Sequence, residues 1–169
     1  MTIHTDHPFA TPDPDRSPVR RLRGRLPSAV TVVTTPNGPR HGPARRPVGL
    51  TVSSVLVVEP EFLVLVVNDL SDLADALDVG TGLSMSVLET EDVPVAEVFA
   101  GLAPAPGGMF TMGDWTDAPS GPHLGGRTWA AATVTEVGEL GWSKVITARI
   151  DHVEFGAGDA VSHVRGHYR

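Results

Sequence analysis

The chain has 169 residues, no cysteine, 41% apolar residues and a formal net charge of −7. That length accommodates one sizeable core, the missing cysteines exclude disulfides, thiolate catalysis and cysteine-bound metals, and the acidic balance disfavours nucleic acid and anionic membranes as partners. No run approaches the roughly 18 apolar residues of a membrane span, and the N-terminus has no apolar signal core, so the expectation is a cytoplasmic protein.

Residues 1–17 mix prolines, acids and histidines without periodicity, which predicts a mobile tail ahead of one domain over residues 18–169. Pro18 opens a short basic helix, capped by Ser17, in which Val19, Leu22 and Leu26 recur at helical spacing. Its arginines, Arg20 to Arg25, read as a solvated face or as one that meets an acidic neighbour across a dimer. The β-branched run 29–35 (AVTVVTT), a turn at Pro36-Asn37-Gly38-Pro39 and the run 47–54 (PVGLTVSS) predict strand, long hairpin loop and strand. Residues 62–67 (FLVLVV) are apolar without alternation, as expected of a central strand covered on one side by the core and on the other by a partner subunit.

Ser71 caps a helix that the pattern carries to a stop at Gly80, and residues 83–88 return as a strand. Residues 90–102 form a second amphipathic helix with Pro94 in its first turn. The stretch 103–126, dense in Gly and Pro yet carrying Phe110 and Trp115, reads as an ordered loop of the kind that walls a binding site. Strands at 129–137, 144–155 and 160–168 complete a mainly β chain with three small helices.

Taken in order, LPSAVTVVTT, RPVGLTVSSV, FLVLVV, the serine-capped helix, LSMSVL, the loop ending GMF and the terminal HVRGHYR resemble the flavin-reductase-like FMN-binding family, over about residues 22–169. The resemblance implies a homodimeric split β-barrel of Greek-key type. It also implies hydride transfer from NADH or NADPH to FMN, with FAD as the alternative flavin, and reduced flavin supplied to a partner flavin-dependent monooxygenase. Carried over residue by residue, it places Thr51, Val52, Ser53 and Ser54 along the isoalloxazine edge and the ribityl phosphate, where hydroxyl and main-chain donors meet negative charge. Gly49 permits close backbone approach, and Ser71 offers its hydroxyl at a helix start. Ser86, Phe110, Arg165 and Tyr168 complete the inherited set of cofactor-binding positions.

Several positions depart from the family pattern. Asp72 stands where a basic residue follows the helix-capping serine, Ser86 replaces an asparagine and Met109 a lysine. The family's Gly-Asp-His-Thr element reads Gly141-Trp142-Ser143-Lys144, so its histidine is missing. Trp142 could take over ring stacking there and Lys144 the neutralisation of a phosphate or reduced flavin. These changes support an alternative, a non-reducing flavin- or other cofactor-binding member of the fold that has lost efficient turnover. Against the functional readings, Thr-Val-Ser-Ser is also ordinary strand polarity, Ser71 an ordinary cap, and the three tryptophans ordinary anchors of core or interface. His163 and His167, four apart, could share one sheet face, but no third ligand accompanies them and no metal site is expected.

Overall fold

The structure, a computed structural model, describes residues 17–38 and 46–169, so the expected tail lies outside the described residues except for Ser17. In chain order the elements are α1 (Pro18–Arg25), β1 (Ser28–Ala29), β2 (Thr31–Thr35), β3 (Val48–Val52), β4 (Val55–Val58), β5 (Phe62–Asn68), α2 (Asp72–Ala76), β6 (Gly82–Val87), α3 (Val93–Phe99), β7 (Trp115–Thr116), β8 (His123–Leu124), β9 (Trp129–Leu140), β10 (Ser143–Glu154), β11 (Ser162–Val164) and β12 (His167–Tyr168). No described helix is long and apolar enough to cross a membrane.

Seven strands form one antiparallel sheet in the order β3-β2-β6-β9-β10-β5-β4. Its outermost strands, β3 and β4, are consecutive in the chain and separated only by Ser53 and Ser54. A two-residue link cannot cross a flat seven-stranded sheet, in which neighbouring strands lie about 4.8 Å apart, so the sheet curls until its opposite margins meet at that bend. Alternation along the strands agrees. Val33, Val52, Leu63, Leu65, Val67, Leu83, Ala132, Val134, Ile146 and Ala148 enter one core, with Leu73, Ala74 and Leu77 of the α2 region packed into it.

A second core lies on the outer side of β2 and β3. There α3 buries Val95, Ala96, Val98 and Phe99, which is why β2, uncharged on both faces, is buried at every position. Glu89, Glu91, Asp92 and Arg127 tie the start of this helix to the segment before β9. Arg127 donates from Nε to Asp92 Oδ2 at 2.7 Å and from Nη2 to Asp92 Oδ1 at 3.1 Å and Glu91 Oε1 at 2.8 Å, with Glu89 at 3.5 Å from Nη1.

Four expectations need correction. β4 was not anticipated, and with it outside, β5 is the second strand from a margin and not a central one. Only one face of β5 is buried in the single chain; Phe62, Val64 and Val66 stay half-exposed. The helix at Ser71 ends at Ala76, because Leu77 turns into the core and the Asp78 N–H goes to Thr81 Oγ1 at 3.1 Å instead of continuing the helix. The terminal strand is two short strands, β11 and β12, folded about Arg165 and Gly166, both at positive φ, 52° and 79°.

Candidate functional site

β3 sorts the candidate residues by its alternation. Val48, Leu50 and Val52 face the first core, whereas Gly49 and Thr51 face α3. Gly49 is small because Phe99 needs the space: a Cβ built there would lie 2.6 Å from Phe99 Cε1. Thr51 Oγ1 donates to the Ala96 carbonyl at 2.7 Å, so its proton fixes helix to strand. Past Val52, the Ser53 and Ser54 side chains are half-buried, and neither hydroxyl has a hydrogen-bond partner among the described residues. The Ser54 carbonyl accepts from Val66 N–H at 3.0 Å, which pins the bend to β5.

Ser71, Trp142 and Lys144 gather at the same end of the sheet. Ser143 pairs with both Asn68 and Leu140, and Asp69 N–H donates to the Trp142 carbonyl at 3.2 Å. Ser71 caps α2 as expected: its Oγ accepts from Ala74 N–H at 3.1 Å and donates to the Asn68 carbonyl at 2.7 Å. Its one proton is therefore committed within the chain. Lys144 Nζ donates to the Ala74 carbonyl at 2.9 Å, filling a C-terminal helix acceptor that Asp78 leaves open. Asp72 is exposed, and Trp142 is 89% exposed at the tip of the β9–β10 hairpin.

The remaining candidates lie on the α3 side. Ser86 is buried and its hydroxyl accepts from Leu124 N–H at 3.0 Å, a role in seating β8. Phe110 forms a triangle with Phe99 and Trp115, all centroid separations being 5.0 to 5.1 Å. Trp129, also buried, stacks flat on His123 at 3.7 Å. Tyr168 packs against the same core. Burial, and then the charge of Glu97, raises its hydroxyl above the ordinary phenol range, so it stays protonated. Arg165 is exposed at the β11–β12 turn, where its N–H is held by the Gly24 carbonyl at 2.8 Å. The structure thus divides the candidates into a bend group (Ser53, Ser54, Ser71, Trp142, Lys144) and an α3 group (Ser86, Phe110, Tyr168), with β3 running between them.

His163 pairs with Tyr168 while His167 pairs with Val164, so the two histidines point to opposite faces of the hairpin, and no metal-binding group exists among the described residues. Burial, then the neighbouring His167, lowers His163 from its ordinary value of 6.5. A base whose folded value is depressed favours the folded state above the unfolded value and loses that contribution as pH falls through the folded one. The denaturant midpoint is therefore expected to drop on going from about pH 7.5 to about pH 5, and to drop less in His163→Phe. Equal losses in both proteins would assign the effect elsewhere.

Two features at the site escape a sequence reading. Asn68 organises the loop before α2, accepting from Leu70 N–H through its side chain at 2.9 Å and from Ser71 through its carbonyl. Its signal is the Asn-Asp-Leu-Ser composition of an Asx turn. The Arg127 cluster has no local signal, because its partners lie more than thirty residues away.

A family model for the flavin reductase like domain matches residues 23–169. The reductase component of the 4-hydroxyphenylacetate 3-monooxygenase of Pseudomonas aeruginosa is 29% identical over 147 residues, covering 84% of this chain and 83% of that protein. Among solved structures, the NADH:FAD oxidoreductase SgcE6 of Streptomyces globisporus C-1027 is 23% identical with a TM-score of 0.75 and 94% coverage of both chains. A longer protein of Sinorhizobium meliloti 1021, 23% identical with a TM-score of 0.77, is matched over 90% of this chain, which spans 53% of that one.

Proposed function

The chain belongs to the flavin reductase like family, and from that premise we propose that it is an NADH- or NADPH-dependent flavin reductase. It binds FMN, or FAD, at the Ser53–Ser54 bend and supplies reduced flavin to a flavin-dependent monooxygenase. A reductase component is what the Pseudomonas relative is, and the Streptomyces neighbour is an NADH:FAD oxidoreductase. The observation that carries the placement is the pair of half-buried serines where the sheet margins meet, whose hydroxyls have no partner among the described residues. Such donors fit the polar edge and phosphate of a flavin nucleotide.

Bound flavin and nicotinamide supply the hydride chemistry themselves, which leaves the chain the tasks of binding and orienting. Ser53 and Ser54 donate. Thr51 locks the bend to α3 through Ala96, and Val66 locks it to β5, so the donors are held by the scaffold before any ligand arrives. Lys144 and Ser71 hold α2 against the same end and leave no free proton of their own for a phosphate beyond the remaining ammonium hydrogens of Lys144.

The working unit is residues 18–169, a split β-barrel acting as a homodimer. The outer face of β4, β5 and β10 supports the dimer. Leu56, Val58, Phe62, Val64, Val66 and Val145 share that face by register and are exposed or half-exposed in one chain. A second copy laid over them removes the apolar surface from water.

The test is oxidation of NADH and NADPH, followed by loss of nicotinamide absorbance with FMN or FAD added, beside flavin binding by fluorescence quenching. Turnover with at least one pairing is expected. Ser53→Ala combined with Ser54→Ala is expected to weaken flavin binding by roughly 1 to 3 kcal/mol, the range for hydrogen bonds to charged groups. Unchanged affinity would move the site away from the bend. A second reading, a flavin-binding module without turnover, is favoured by the commitment of Lys144 and Ser71 to helix capping; tight binding without oxidation would establish it.

A further inference from the structure

β2 reads Thr-Val-Val-Thr-Thr, and its three threonines, Thr31, Thr34 and Thr35, are at most 2% exposed. Valine has the same shape and suits a strand as well, whereas a hydroxyl taken out of water costs free energy until it finds a partner. Each of the three has found a main-chain carbonyl. Thr34 donates to Pro122 at 2.6 Å, Thr35 to Gly82 at 2.8 Å and Thr31 to Val52 at 2.6 Å. The first two fasten the segment before β8 and the start of β6. The third ends on the last residue of β3, immediately before the Ser53–Ser54 bend.

The Val52 carbonyl and the Ser53 N–H belong to one peptide unit. That unit is planar and trans, so the two groups point in opposite directions. A carbonyl drawn toward Thr31 of β2 turns the Ser53 N–H away from β2, toward the margin of β3 that has no hydrogen-bonded neighbour strand. On the other side of the bend, the Ser54 carbonyl is held by Val66 N–H. Both ends of the bend are thereby fixed, yet the Ser53 and Ser54 N–H groups, like the two serine hydroxyls, have no partner among the described residues. Main-chain donors on half-buried residues rarely go unmatched, and a ligand at the bend would match them.

We propose that the Ser53 main-chain N–H is a donor to the bound flavin nucleotide and that Thr31 is its positioning residue. By holding the Val52 carbonyl, the threonine aims that N–H into the seam between β3 and β4, beside the two serine hydroxyls. An oxygen of the flavin nucleotide, on its ring edge or its phosphate, is the acceptor such a group takes. A donor already aimed before the ligand arrives loses little freedom on binding. Thr31 itself, 2% exposed, touches no ligand. Its role rests on the flavin site proposed at the bend and goes beyond it by naming a main-chain donor and the side chain behind it.

The test compares FMN dissociation constants, from fluorescence quenching, with melting temperatures in the full chain. Thr31→Val is expected to raise the FMN dissociation constant about tenfold, and Thr31→Ser, which keeps the hydroxyl, to stay within about twofold of the wild type. Thr35→Val removes a like bond at the other end of the same strand; it is expected to lower the melting temperature and leave the constant unchanged. In amide NMR spectra, FMN is expected to shift the Ser53 resonance in the wild type and in Thr31→Ser, and to shift it less in Thr31→Val. A loss of affinity matched by Thr35→Val would mark a general effect of stability and overturn the positioning role. Wild-type affinity in Thr31→Val, where Ser53→Ala with Ser54→Ala does weaken binding, overturns that role and leaves the site at the bend. Wild-type protein that binds no flavin overturns both.

Discussion

Arg127→Ala is expected to destabilise the protein by about 3 kcal/mol, which for a chain of this size lowers the melting temperature by roughly 6 to 12 °C. The guanidinium makes a two-bond contact with Asp92, which is 7% exposed, and also reaches Glu89 and Glu91. The mutual attraction keeps Arg127 charged far above any accessible pH, the hydrogen bond to Asp92 being the largest cause. Without it, a buried carboxylate remains beside two others and has, among the described residues, only the Glu89 N–H as a donor, at 2.9 Å. The exposed Glu91 contact adds little, and the loss comes from stranding Asp92. Arg127→Lys recovers a minor part, since an ammonium cannot reproduce the paired geometry. Asp92→Asn in the Arg127→Ala background relieves part of the loss, which a thermal-melt double-mutant cycle would measure. A change below about 1 kcal/mol would show that the carboxylates find water when the arginine is removed.

Gly49→Ala is expected to destabilise by about 2 kcal/mol, within the range for overpacking a filled core. The new methyl would lie 2.6 Å from Phe99 Cε1, and Phe99 is 1% exposed between β2, β3, Phe110 and Trp115, with no direction in which to yield. Either α3 lifts from the sheet or β3 bends, and both displace the Thr51 to Ala96 hydrogen bond beside the serine bend. Near-ultraviolet circular dichroism should change with the melt, because Trp115 shares the aromatic triangle. Phe99→Leu is expected to cost less in the Gly49→Ala background than alone, so that the two losses sum to more than the double variant shows. Additive losses would place the strain in the backbone of β3 and not against the ring.

Helix starts were legible because capping is local: Ser17 and Ser71 are one residue ahead of α1 and α2, their hydroxyls accepting from the Arg20 and Ala74 N–H groups. The seven strands were legible where turn residues punctuate them. β4 was not, because VLVV follows Ser53-Ser54 with no Gly, Pro, Asn or Asp to announce a new strand. The end of α2 was misplaced because the apolar spacing continues to Leu77 after the backbone has left the helix, a choice made by the core. The Thr-Val-Ser-Ser segment was singled out by likeness, and only its position between opposite sheet margins gives Ser53 and Ser54 a different standing from Thr51 and Val52. The same holds for Gly49, whose reason is a ring fifty residues away in the chain.

The splice of two serines between the first and last strands of the sheet has a thermodynamic consequence. Neighbouring strands can each form with local partners, yet the bend takes its shape only when the whole ring of seven is in register. A partly folded chain therefore presents no cradle. If the proposed function holds, a flavin nucleotide bound there would discriminate the completed protein from every intermediate and raise its apparent stability by mass action, a clasp that shuts only on a finished ring.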